Sequence, residues 1–148
     1  PRDFVTRKIT MGIRDVLSGE AKALKLGNMS AKRDWGFAGD YVDAMWRMLQ
    51  QETPGDYVIG TGETHSIAEF LAACLDVLGA EPDEVPVSVD PAMLRPAEVN
   101  VLIADATKAR EVLGWRPEVG FRELVGRMMA NDCGVFINRR RREAIGQR

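Results

Sequence analysis

Two short stretches of this sequence place an arginine in a loop. In "LGNMSAKRDW" (residues 26–35) Gly27 ends an apolar run, and Lys32 and Arg33 follow before a helical pattern. In "LRPAEV" (residues 94–99) Arg95 and Glu98 lie in a proline-bounded loop that would hold them in place. A guanidinium makes forked hydrogen bonds to phosphate oxygens. A carboxylate suits ribose hydroxyls. Two loops that each offer an arginine, one with a glutamate, have the chemistry that a nucleoside-diphosphate ligand requires. Taken alone, each arginine reads more readily as one half of a surface ion pair.

A third stretch, "DYVIGTGETHSIAEF" (residues 56–70), has the outline of a dinucleotide loop: an apolar run, Gly60-Thr61-Gly62, then a helical pattern. That fingerprint needs a third small residue so that helix and strand can pack closely. The position holds His65, whose imidazole is too large. Ser66 and Glu69 instead form a capping box, each side chain bonding the other's amide. The reading is a glycine turn feeding a capped helix, with no cofactor-binding residue. His65 is the only histidine, and no Cys/His cluster exists to hold a metal. No nucleophile stands beside it in the sequence, so no catalytic residue is assigned.

The elements that must position these groups follow from periodicity. Val5, Ile9, Ile13, Val16 and Leu17 mark one face of a first helix, with Asp3 as N-cap and Ser18-Gly19 as stop. Ala23–Leu26 reads as a short strand. Val42, Met45, Trp46 and Leu49 fall at i, i+3, i+4, i+7, and Tyr41, Ala44 and Met48 widen that face. This helix is expected to be well buried. Tyr57–Ile59 reads as a strand, 67–78 as a helix ended by Gly79, and Val85–Val89 as an edge strand begun by Pro86. Residues 90–105 are mostly loop, with an apolar stretch at Val99–Ile103. A helix capped near Asp105 ends before Gly114, and Phe121, Leu124, Val125, Met128 and Met129 mark a last amphipathic helix. The class is α/β. Strands this short and few make a poor sheet alone and suit addition to a sheet supplied by something else.

The chain has 148 residues, 45% hydrophobic and 28% charged, enough for one domain with a real core. No apolar run reaches the length of a membrane span. Two cysteines, Cys74 and Cys133, form no disulfide framework, which fits a cytoplasmic location. The net charge is −2, but residues 139–148 hold five arginines and one glutamate, net +4, leaving −6 on the rest. An acidic body gives no support for a nucleic-acid partner. The basic end, residues 136–148, is expected to be a solvated, disordered tail. The chain begins with Pro1, abruptly, at the start of a helical pattern, which suggests a piece of a longer protein.

The runs "FVTRKIT", "LGNMSAKRDWGFAGDYVDAMWRMLQ", "DYVIGTGETHSIAEF", "VDPAMLRPAEV" and "DATKAREVLGWRP" occur in order from residue 4 to about residue 130. Together they resemble the C-terminal part of the GDP-mannose 4,6-dehydratases, a family of extended short-chain dehydrogenases/reductases. The resemblance implies that residues 1–135 are the lobe that grips GDP-mannose in an extended Rossmann-type fold. NADP and the catalytic threonine, glutamate, tyrosine and lysine would belong to an N-terminal lobe absent here. No Tyr-x-x-x-Lys pair occurs: four positions after Tyr41 stands Met45, and after Tyr57 stands Thr61. By position, the resemblance makes Arg33 and Arg95 diphosphate arginines and Glu98 the ribose carboxylate. Val5 and Lys8 match the nucleotide pocket, and Leu26, Gly27 and Asn28 the strand end beside the base. Met29-Ser30 stands where the family usually has leucine-aspartate. The implied reaction is internal redox: oxidation at C4 of the mannose unit, loss of water across C5 and C6, and hydride return to C6. The implied whole enzyme is a soluble homo-oligomer, dimer or tetramer. The alternatives are another GDP-sugar reductase or epimerase, or a free-standing module that binds GDP-sugars without catalysis.

Overall fold

The computed structural model describes residues 3–94, 97 and 99–146. The chain forms two compact units: residues 1–31, 66–98 and 125–148 in one, and residues 32–65 and 99–124 in the other. The sequence reading treated residues 1–135 as a single lobe.

In the first unit, α1 (Val5–Leu17) presents Ile9, Thr10, Met11 and Ile13 inward. Its N-cap is Phe4, with no side-chain cap, so the expected cap by Asp3 is not made. The other end is as expected: Ser18 is the C-cap. β1 (Leu24–Leu26) buries Leu24 and Leu26 and runs parallel to β4 (Val87–Val89), pairing Leu26 with Val89. The expected strands at Ala23–Leu26 and Val85–Val89 are both present, slightly shortened.

β3 (His65–Ser66) precedes α3 (Ile67–Leu78). The capping box forms as read: Glu69 N donates to Ser66 Oγ at 3.1 Å, and Ser66 N to Glu69 Oε2 at 2.6 Å. Gly79 ends α3 in the left-handed conformation, at φ 66°. Phe70, Cys74 and Leu78 of α3 join Ile9, Ile13, Met129 and Cys133 among the buried side chains.

The last helix, α5 (Phe121–Gly146), is longer than its apolar pattern suggested. Residues 136–146 are helical, which corrects the expectation of a disordered tail. Arg140 holds them through a salt bridge to Glu84 and a 2.8 Å hydrogen bond to the Gly79 carbonyl. Asp132 ties α5 to α1, pairing with Arg7 at 3.0 Å and accepting from Thr10 Oγ1 at 2.6 Å.

In the second unit, β2 (Lys32–Arg33) runs parallel to β5 (Val101–Leu102), with Arg33 opposite Leu102. The strand order is β3-β2-β5. α2 (Ala38–Leu49) and α4 (Thr107–Leu113) enclose a small core of Ala44, Ala106, Ala109, Leu113 and Trp115. Asp40 organises it. Its carbonyl accepts from Trp115 Nε1 at 2.8 Å, and its Oδ2 from the amides of Glu118 and Val119, both at 3.0 Å. α4 is flanked as read: the Asp105 carboxylate bonds Thr107, and Gly114 ends the helix with φ 61°.

Two expectations fail in this unit. α2 is not buried over most of its girth. Only Asp40 and Ala44 are buried, while Val42, Met45, Trp46 and Leu49 are 59–82% exposed. The helix packs through Ala44, Tyr41 and Met48, which leaves its other apolar stripe open. Tyr57–Ile59 is also not a strand. Tyr57 and Ile59 pack against the core, but no described neighbour bonds the backbone of these residues.

Candidate nucleotide-sugar site

The first cluster lies in the first unit, where α1, the end of β1 and the turn Pro91–Met93 meet. The β1–β4 ladder continues one step past Leu26, whose carbonyl accepts from Asp90 N at 2.8 Å. Asp90 then caps the following turn, its Oδ1 accepting from Ala92 N at 3.0 Å. This brings Met93 over Gly27. A Cβ on Gly27 would stand 2.7 Å from the Met93 carbonyl oxygen, so only glycine fits that approach.

Lys8 reaches the same place from α1, its Nζ donating to Met93 Sδ at 3.0 Å. A thioether is a weak acceptor. Among the described residues no carboxylate pairs with Lys8. The ammonium is thus half-buried beside the strand end with donors to spare for an anion. Val5, one turn earlier on α1, is half-buried. Leu26 is buried. Asn28 spends its side-chain oxygen on a local turn, accepting from Ser30 N at 3.0 Å and Ser30 Oγ at 2.7 Å.

Arg33 belongs to the second unit. Its Nη1 donates to the carbonyls of Lys32 and Val99, each at 2.8 Å, which anchors that nitrogen next to β5. Arg95 and Glu98 lie outside the described residues. The structure therefore brings Lys8, Gly27 and the turn that leads towards Arg95 together. It places Arg33 beside Val99, in the segment that leaves that loop.

The glycine loop holds a residue that sequence reasoning missed. Asp34 Oδ1 accepts from Thr61 N at 2.9 Å and Thr61 Oγ1 at 2.6 Å. Its Oδ2 accepts from Gly62 N at 2.9 Å and Ala104 N at 3.2 Å. Burial alone would raise the Asp34 carboxyl, but these bonds outweigh it and hold the group below the usual aspartate value. The amides that could have cradled a pyrophosphate are thus spent on the chain's own carboxylate. The loop does not fit a dinucleotide. The one available signal was an aspartate directly after Lys32-Arg33.

His65 stacks on Phe121, with ring centroids 3.7 Å apart and planes inclined by 12°. Its Nε2 is buried without a hydrogen-bond partner, and the nearest carboxylate, Glu63, is 3.9 Å away. Among the described residues no group of three or more His, Cys, Asp or Glu side chains could hold a metal. No helix among them is long and apolar enough to cross a membrane.

A profile of the GDP-mannose 4,6 dehydratase family matches residues 1–128. The chain belongs to that family. GDP-mannose 4,6 dehydratase 2 of Arabidopsis thaliana is 52% identical over 130 residues, covering 88% of this chain and 35% of the relative. GDP-mannose 4,6 dehydratase of Homo sapiens is 42% identical over 150 residues, covering 90% of this chain and 40% of the relative. The chain thus spans well under half the length of these curated relatives. Among solved structures, RMD from Pseudomonas aeruginosa complexed with NADPH superimposes with a TM-score of 0.77 at 20% identity, covering 94% of this chain and 44% of that one. UDP-glucose 4-epimerase from Bifidobacterium longum, in complex with NAD+ and UDP, gives 0.68 at 21%, covering 87% and 38%. At such identity the likeness is one of fold: the α/β fold of extended short-chain dehydrogenases/reductases.

Proposed function

We propose that this chain is the substrate-binding part of a GDP-mannose 4,6-dehydratase, an enzyme that converts GDP-mannose to GDP-4-keto-6-deoxy-mannose. The match of residues 1–128 to the dehydratase family carries this reading. The geometry adds support at the strand end, where Lys8 and Gly27 face the Met93 turn with an ammonium free to take a phosphate oxygen. In this reading Val5, Lys8, Leu26, Gly27 and Asn28 border the nucleotide. Arg33 and Arg95 bind the diphosphate, and Glu98 the ribose.

NADP supplies the hydride chemistry in the whole enzyme. The occupied glycine loop argues that the cofactor is held elsewhere in the family's length, by a lobe this chain does not span. Residues 1–148 then bind and orient the substrate, which makes the sugar's reaction effectively unimolecular. They supply no acid, base or hydride acceptor. The whole enzyme is a soluble, cytoplasmic homo-oligomer.

A chimera tests this, with the chain replacing the matching part of the Arabidopsis thaliana relative. Calorimetric titration should show GDP-mannose bound in preference to UDP-glucose, and NADP should support formation of the 4-keto product. The chain alone should form none. A folded chimera that does not bind GDP-mannose overturns the reading.

A further inference from the structure

The last turns of α5 carry charge that the fold uses only in part. Cys133 and Ile137 are buried, and Arg140, on the same side of the helix, bonds Glu84 and the Gly79 carbonyl. These three residues, at i, i+4 and i+7, fix how the helix is turned. Val135, Asn138, Arg139 and Arg142, at i, i+3, i+4 and i+7, therefore share the opposite face. Val135 is 80% exposed, and Ile145, one turn beyond Arg142, is 76% exposed. Val135, Asn138, Arg139, Arg142 and Glu143 line a cleft of about 400 Å³.

The pairing on this face is incomplete. Arg139 Nε meets Glu143 Oε1 at 3.0 Å, with both side chains more than half exposed. Among the described residues no carboxylate pairs with Arg141 or Arg142. Like charges that neighbour one another on a helix face repel. A ligand that brings carboxylates to Arg139 and Arg142 relieves that repulsion. The segment also lies beyond residue 128, where the family match stops, so the substrate reading makes no use of it.

We propose that the α5 face from Val135 to Ile145 docks a helical segment of another protein, one that carries carboxylates between apolar side chains. Guanidinium groups take carboxylates in a forked geometry. Arg139 and Arg142 present two such forks about one turn apart. Val135 and Ile145 border them, separated by about 15 Å along the helix axis. These apolar ends decide the class of partner. A nucleic-acid backbone offers phosphates to the arginines but nothing apolar to Val135 and Ile145. It would also bring its charge against a chain whose other residues sum to −6. Insertion into an anionic membrane needs a continuous apolar face. Here Asn138, Arg139 and Arg142 stand between the two apolar side chains. A second copy placed symmetrically on this face sets arginines against arginines. An acidic helix with flanking apolar residues matches both the charge and the apolar ends. The inference goes beyond the substrate reading and does not rest on it.

Fluorescence anisotropy on the 148-residue chain tests it, with a labelled synthetic helical peptide in which paired glutamates alternate with leucines. The peptide should bind with a Kd of about 10–100 µM, as small interfaces do, and more tightly than an oligoglutamate of equal charge. Arg139→Gln with Arg142→Gln should weaken binding roughly tenfold and leave far-UV circular dichroism unchanged, since both side chains are exposed. Lys22→Gln with Lys25→Gln removes two exposed cations elsewhere on the chain and should change nothing. Val135→Ser with Ile145→Ser should remove the preference over oligoglutamate. Absence of binding up to about 1 mM peptide overturns the proposal. So does an equal effect of the arginine and lysine pairs, which would reduce the face to net charge. Tighter binding of a short DNA duplex, or of phosphatidylserine vesicles, than of the peptide overturns it in favour of that partner. A chain that sediments as a dimer, and as a monomer once Arg139 and Arg142 are replaced, overturns it in favour of a second copy.

Discussion

The Asp34 carboxylate and the Gly62 amide, 28 residues apart in sequence, are 2.9 Å apart in the structure. The same carboxylate takes two bonds from Thr61 and one from the amide of Ala104. One side chain thus fixes the glycine turn against the end of the β2–β5 pair.

Asp34→Ala leaves the amides of Thr61, Gly62 and Ala104 without their acceptor. Hydrogen bonds to a charged group are each worth about 1.5–3 kcal/mol. Urea unfolding should show a loss of at least that size, and Asp34→Asn a smaller one. The pH dependence has a definite sign. The folded carboxyl lies below its reference value of 3.8, so its contribution is complete above that value and is lost as pH falls through the folded one. The wild-type advantage over Asp34→Asn should therefore be level at neutral pH and shrink only in acid. An advantage that is unchanged down to pH 2 would show that the charge plays no part.

Gly27→Ala places a methyl group 2.7 Å from the Met93 carbonyl oxygen, which must move. Overpacking of this kind costs about 1–3 kcal/mol. The displaced turn also carries the sulfur that Lys8 touches. Thermal unfolding should record the loss, and in the chimera GDP-mannose affinity should fall with it. Wild-type stability would mean that the turn yields freely and does not shape the site.

How much of this could be read in advance depends on how local the interaction is. Ser66 and Glu69 are three residues apart, and the capping box formed as expected, as did the stops at Gly79 and Gly114. The bond from Gly62 to Asp34 is not local. Gly60-Thr61-Gly62 therefore looked like an open anion site when its anion was already inside the chain. α2 failed for another reason. Apolar residues cover most of its girth, and periodicity cannot say which stripe meets the chain's own core. The answer lay in Asp40, a buried carboxylate accepting the amides of Glu118 and Val119 across 78 and 79 positions. The helical end of α5 was hidden similarly, since four successive arginines suggest solvation until Glu84 and the Gly79 carbonyl are seen beside Arg140. Of the site, Arg33 was suggested by its residue type and loop setting, and Lys8 and Gly27 by motif resemblance. Periodicity placed only the elements that carry them.

Both cysteines should be inert in the folded chain. Burial pushes the Cys74 thiol well above its ordinary value, with Cys133 adding a smaller contribution. Burial, and next Asp132, push Cys133 up to about 11. The thiolate is the reactive form. At pH 8 DTNB should therefore release almost no thionitrobenzoate from native protein, and two equivalents in urea. A native thiol that reacts within seconds would contradict the burial of both side chains.

Lys8 and Arg33 are the described residues on which the substrate reading turns. Among the described residues the Lys8 ammonium is met by a thioether, and Arg33 Nη1 by two backbone carbonyls. If they bind the diphosphate, each truncation to alanine in the chimera removes a charge-assisted bond worth about 1.5–3 kcal/mol. GDP-mannose Kd should rise roughly 10- to 150-fold by calorimetry. Arg95→Ala should act similarly. Lys8→Arg should recover part of the loss, because it keeps the charge at another reach. Arg139→Ala removes a guanidinium paired with Glu143 on α5, and GDP-mannose affinity should not change. If Lys8→Ala and Arg33→Ala both bind as the parent does, the anion site is elsewhere and the assignment falls.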